Sequence, residues 1–198
     1  MTASSIKALK RMVCFAAVVI ASVALIPAQS TAANYKLDDQ HTSVVFAVDH
    51  FGLSFCYGMF GRYKGDFTVD MDNPSASKFA FVIDAGSLDT KVEKRDEHLR
   101  GPDFFDVKQF PEIKFVSKSV TKEGKTLKVT GDMTMHGVTK SIVLPLVFIG
   151  EGKGPAGKDR IGFAAKTTLK RSDFGMTTYV PKLGDDVTLM LSFEGIKQ

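Results

Sequence analysis

The sequence predicts an all-β protein, eight antiparallel strands closed into a barrel with one short helix. Apolar and polar residues alternate at period two along most of the chain, as they do in half-buried strands. The alternating runs are bounded by turn chemistry: Asp72-Asn73-Pro74, Lys122-Glu123-Gly124, His136-Gly137 and the glycine-rich stretch 150–157. One segment breaks the alternation with a helix-start pattern. Antiparallel strands that each offer one apolar face lose their exposed edges by closing into a barrel.

Residues 1–33 stand apart from this pattern. Lys7, Lys10 and Arg11 precede an apolar run over 12–26, followed by Pro27 and small or polar residues ending Thr31-Ala32-Ala33. This is the form of a secretory signal peptide. Its apolar run is short of the roughly 20 residues that a span needs, and nothing downstream approaches that length. An exported domain over 34–198 with no integral membrane span is therefore expected.

Strands are expected near 42–50, 57–71, 77–84, 112–118, 124–135, 138–150, 159–170 and 185–195. In the first, Val44, Phe46, Val48 and His50 share a face; in the second, Phe67 and Val69 do. Phe81, Phe115, Phe163, Leu189 and Phe193 hold the inward positions of later strands. The run 142–149 is apolar on both faces. Between the third and fourth strands, Thr90-Lys91-Val92-Glu93 reads as a capping box opening a helix over 91–100, which stops at Gly101-Pro102.

The whole chain carries 26 basic and 22 acidic residues. Removing the leader takes away three cations and no anion, leaving 23 against 22, a net charge of +1. Without a basic stripe or a recognition motif, a nucleic-acid partner has no support. Cys56 is the single thiol outside the leader, so no internal disulfide can staple the fold. Fifteen of the 16 phenylalanines and all four tyrosines lie after residue 33, and there is no tryptophan. An eight-stranded barrel has room for packed side chains or for one small ligand. A lumen lined with phenyl rings suits an apolar ligand that needs shape and few directional contacts. On the residues alone, an ordinary filled core remains open.

Ordered motifs sharpen the choice. Tyr35-Lys36-Leu37-Asp38, His41-Thr42-Ser43-Val44-Val45-Phe46, His50-Phe51-Gly52, Gly58-Met59-Phe60 and Gly65-Asp66-Phe67 open the chain after the leader. Ser87-Leu88-Asp89-Thr90, Lys94-Arg95-Asp96-Glu97-His98-Leu99, Asp103-Phe104-Phe105-Asp106 and Phe110-Pro111-Glu112-Ile113-Lys114-Phe115 follow. Gly131-Asp132-Met133-Thr134-Met135-His136-Gly137-Val138-Thr139 and Arg171-Ser172-Asp173-Phe174-Gly175 close the set. Together they resemble the YceI-like family of bacterial periplasmic polyisoprenoid-binding proteins. The resemblance implies a lipocalin-like barrel, a periplasmic location, and non-enzymatic binding of a polyisoprenoid, a quinone-like tail or a fatty amphiphile, with no cofactor. Phe55-Cys56 departs from the family, which needs no cysteine there.

The ligand-binding residues expected on this reading are Phe46, Val48, His50 and Phe51 near the first connection, Phe67, Phe81, Phe115 and Phe163 in the wall, and Phe174, Leu189 and Phe193 late in the chain. The segment 171–186 is longer than a hairpin requires, and Phe174, Met176, Tyr179 and Leu183 make it a candidate lid with Gly175 and Gly184 as joints. Carriage or storage of the lipid is the expected role; a homodimer stays open.

Two alternatives come from other classes. Arg95, Asp96 and His98 put acid, base and cation on one helical turn, as a small secreted hydrolase would need, but no Gly-x-Ser-x-Gly elbow accompanies them. A scaffold helix is the plainer reading, with Arg95 and Asp96 bonding to the neighbouring loop and Val92 and Leu99 packing inward. A filled-core barrel acting as a protein-interaction module is the other alternative. His41, His50, His98 and His136 are too widely spaced to read as a metal site.

Overall fold

A computed structural model describes residues 32–198 of the 198-residue chain. The apolar run of the expected signal peptide lies outside the described residues. Ten strands and one helix follow: β1 (Ala33–His50), β2 (Ser54–Phe60), β3 (Tyr63–Val69), β4 (Lys78–Asp84), β5 (Leu88–Asp89), α1 (Glu93–Arg100), β6 (Glu112–Glu123), β7 (Thr126–Met135), β8 (Val138–Lys153), β9 (Asp159–Lys170) and β10 (Leu183–Lys197). Eight of the strands close an antiparallel barrel. The order β3, β4, β6, β7, β8, β9, β10 is completed by β1, which pairs with β10 from Tyr35↔Lys197 to His50↔Leu183 and with β3 from Ala33↔Val69 to Lys36↔Asp66.

The expected second strand, 57–71, is two strands. After Phe60 the chain leaves the ladder at Gly61 and Arg62, whose amides both donate to Ser87 Oγ, at 3.2 and 3.1 Å. Beyond that break β2 pairs with the later half of β1, from Val44↔Phe60 to His50↔Ser54. The wall therefore divides at one end of the barrel, and β5 extends β2 by the two pairs Met59↔Asp89 and Phe60↔Leu88. Helix α1 and the loop after it pack at this end. Arg100 ties the helix to β5 by donating to Gly86 O and Leu88 O, and Phe105 stands edge-on to Phe60 at 5.7 Å.

The helix begins at Glu93, two residues later than the sequence predicts. Its N-cap is Val92, which supplies no side-chain cap, and Lys91 has a positive φ of 66°. The capping box does not form. Asp96, a turn further on, accepts from both the Thr90 amide and the Thr90 hydroxyl, and Glu93 pairs with Arg100 instead. A carboxylate buried beside that hydroxyl outcompetes the exposed Glu93.

At the other end of the barrel, phenyl rings fill the lumen. Tyr35 stacks on Phe67 at 5.4 Å, Phe67 on Phe79 at 5.6 Å, and Phe163 packs against Phe193 at 5.6 Å. Stacked and tilted ring contacts of this kind add to the area buried. Gly195 makes the layer possible, since a Cβ there would lie 2.2 Å from Phe67 Cζ. The doubly apolar run in β8 is resolved by facing: Leu144 and Leu146 are buried in the core, while Val143, Val147 and Ile149 are exposed on the outer wall. Among the described residues no helix is long and apolar enough to cross a membrane.

Candidate functional site

Between the phenyl layer and α1 the barrel is incompletely filled. A cavity of about 110 Å³ is lined by Val44, Phe46, Val48 and Phe60 from β1 and β2, by Leu169, Val187 and Leu189 from β9 and β10, and by Met133, Met135 and Met176. Leu99, Phe104 and Phe105 close it from the helix side. A smaller space of about 60 Å³ lies deeper, against Phe81, Phe115 and Phe193. A third, of about 240 Å³, forms the mouth; Phe46, Val48, Leu99, Phe104 and Leu183 belong to both it and the main cavity. Alternation puts these walls together, because inward positions of β1, β7 and β10 recur every second residue.

The expected ligand residues divide among these spaces. Phe46, Val48 and Leu189 line the main cavity, and His50 and Phe51 stand at the mouth. Phe81, Phe115 and Phe193 line the deeper space. Phe67, Phe163 and Phe174 are 3%, 1% and 1% exposed and sit in the packed core, outside all three spaces.

The lid expectation also divides. Phe174 and Met176 are buried, while Tyr179 is 58% exposed and lines the mouth. The segment is pinned: Arg171 donates to Met176 O, Leu183 O and Gly184 O at 2.8, 2.9 and 2.8 Å, and the Ser172 amide and hydroxyl both bond Asp185. A guanidinium that satisfies three carbonyls fixes the loop that presents them. Arg171 is itself buried in the cavity wall, 6.0 Å from the Phe104 ring centre, and burial pushes its pKa down.

The mouth is lined by polar as well as apolar side chains. His50, Cys56, Thr90, Arg95, His98 and Tyr179 contribute to it. Arg95 donates through Nε to Thr90 Oγ1 and through Nη2 to Thr90 O, both at 2.7 Å, while Nη1 meets Cys56 Sγ at 3.7 Å. His98 Nε2 lies 3.0 Å from Asp103 and its ring is edge-on to Phe104. Arg95 and Asp96 thus both hold Thr90, and His98 holds Asp103, as a scaffold helix requires. Leu99 packs inward, but Val92 is 47% exposed.

Some wall residues escaped sequence reasoning. Phe104 and Phe105 lie in a loop without periodicity, and nothing local to Arg171 marks it as part of a cavity wall. Met133 and Met135 carry the period-two signal. Nothing in the spacing marked them as cavity rather than core.

A second polar cluster lies near the phenyl-filled end. Ligand atoms of Asp38, His41 and Glu194 fall within 4.8 Å of one another. Arg160 already supplies the balancing charge, its Nη1 donating to Asp38 and, at 2.8 Å, to Glu194. Burial opposes ionisation of Asp38, but the bonds from Arg160 and His41 outweigh it and hold the carboxyl down at about 2.

The comparisons agree with this architecture. The family described as the YceI-like domain matches residues 35–195. The protein YceI of Salmonella arizonae is 41% identical over 181 residues, covering 90% of this chain and 95% of its own. Among solved structures, Burkholderia cenocepacia BcnA superposes with a TM-score of 0.74 at 21% identity, covering 80% of this chain and 98% of its own. A polyisoprenoid-binding domain from Saccharophagus degradans, implicated in plant cell wall breakdown, superposes with a TM-score of 0.65 at 14% identity, over 83% of this chain and 98% of its own.

Proposed function

The chain belongs to the YceI-like family, and from that premise we propose that it binds the apolar tail of an isoprenoid or related amphiphile inside the barrel, without catalysis. One observation carries the reading: the main cavity is walled by hydrocarbon, ring and thioether groups, with Arg171 as its single charged residue, and it meets a polar mouth. The polyisoprenoid-binding domain with the same fold supports that ligand class. Together with the signal-peptide pattern, the family supports a periplasmic carrier or store.

At rest the cavity is far smaller than a long chain. Binding then requires wall side chains to move. Met133, Met135 and Met176 suit this, because an unbranched thioether changes rotamer cheaply. Burying apolar area yields roughly 25 cal/mol per Å² before association costs, so a long tail binds well with few polar contacts. The unfilled volume above the phenyl layer favours this reading over a filled-core interaction module.

Extraction and mass spectrometry of protein made with its leader in a bacterial host tests the proposal. A copurifying isoprenoid or fatty amphiphile is the expected result. Protein that arrives empty and takes up neither farnesol nor a fatty amide from solution would refute it.

A further inference from the structure

The mouth contains a cation with spare donor capacity. Arg95 is half-buried, and two of its three nitrogens are committed to Thr90. The third, Nη1, has only the Cys56 sulfur at 3.7 Å, and a thiol is a weak acceptor. Arg62, Arg100 and Arg160 each contact a carboxylate. Among the described residues no carboxylate lies within ion-pairing distance of Arg95. Of the acids around it, Asp96 accepts from Thr90, Glu93 pairs with Arg100 and Asp103 pairs with His98.

The surroundings add no negative charge. Residues lining the mouth and main cavity include Arg95, Arg171, His50 and His98, and neither space is lined by an Asp or Glu. Arg171 likewise bonds three backbone carbonyls rather than an acid. A planar guanidinium fork matches phosphate and carboxylate oxygens better than it matches a neutral hydroxyl.

We propose that the mouth selects amphiphiles with an anionic head, a phosphate or carboxylate held by Arg95 Nη1 while the tail lies in the cavity. This rests on the carrier reading above and narrows its ligand class. Because the head stays at the mouth, its oxygens keep part of their hydration and the charge is never fully buried.

The test uses two probes with one tail, farnesyl phosphate and farnesol, and inorganic phosphate as a head without a tail. Each competes with the neutral fluorophore N-phenyl-1-naphthylamine on wild type and on Arg95→Gln. Wild type should bind farnesyl phosphate about tenfold or more tightly than farnesol, with the preference shrinking as salt is raised. Arg95→Gln should erase the preference and leave farnesol affinity within about twofold. Equal wild-type affinities for the two farnesyl probes would overturn the head-group proposal and leave the carrier reading standing. Failure of both probes to bind would overturn the carrier reading too. Inorganic phosphate binding as tightly as farnesyl phosphate would replace the lipid head by a free anion. Should Arg95→Gln fail to fold, the wild-type pair and its salt dependence still decide.

Discussion

Asp38 is a buried carboxylate that the fold holds ionised. Its carboxyl sits at about 2 in the folded chain against 3.8 unfolded, so its contribution to stability is fully present above about pH 4 and is lost as pH falls through 2. Thermal melts from pH 7 to pH 2 should therefore fall more steeply for wild type than for Asp38→Asn. That variant leaves Arg160 short of an acceptor and should cost about 1.5 to 3 kcal/mol at neutral pH. Equal pH profiles would show that the pair does not stabilise the fold. Two glycines make a matched pair at the same scale. A Cβ on Gly58 would stand 2.2 Å from Phe46 Cζ, in the cavity wall, whereas one on Gly195 meets Phe67 in the phenyl layer. Both alanine variants should lose about 1 to 3 kcal/mol by overpacking. Only Gly58→Ala should also change affinity for an apolar fluorophore, and equal effects of the two on binding would place the ligand elsewhere. Cys56→Ser, at the mouth, should leave folding and uptake nearly intact, because serine keeps the size and offers Arg95 a better acceptor.

Elements were legible where one force set them. The β7, β9 and β10 runs were visible because apolar and polar residues alternate along them, and β8, apolar on both faces over 142–149, was bounded by the turn His136-Gly137, both with positive φ as a two-residue hairpin requires. The division of 57–71 into β2 and β3 was not visible, since it depends on Ser87, 26 residues away, capping the two amides that leave the ladder. The helix start was misplaced for a related reason: local spacing favoured Glu93, and tertiary burial favoured Asp96. The segment 171–186 looked like a lid, yet Arg171 pins it from within. Its two aromatic residues should therefore behave differently. Phe174→Ser should lower stability by about 3 to 5 kcal/mol, the usual cost of removing a buried ring. Tyr179→Ser should barely change the melting temperature while speeding release of a bound fluorophore, measured by stopped flow. Faster release from Phe174→Ser at unchanged stability would restore the whole segment as a lid.

At the scale of the molecule, a closed eight-stranded barrel is divided along its axis into a solid end and a hollow end. Phenyl rings from β1, β3, β4, β9 and β10 make the solid end rigid. Aliphatic and thioether groups beneath α1 leave the other end adaptable. The period-two pattern made the barrel readable but could not separate the two ends, because Phe67 and Phe46 occupy equivalent inward positions. Which ring faces packed neighbours and which faces space depends on the strand register and on where α1 lands. The division makes the central claim measurable through the methionines. With methyl-labelled methionine, titration with farnesol should shift the resonances of Met133, Met135 and Met176, which line the cavity, and leave those of Met71 and Met190, which do not. Shifts confined to Met71 or Met190, or no shift at saturating farnesol, would contradict binding inside the barrel.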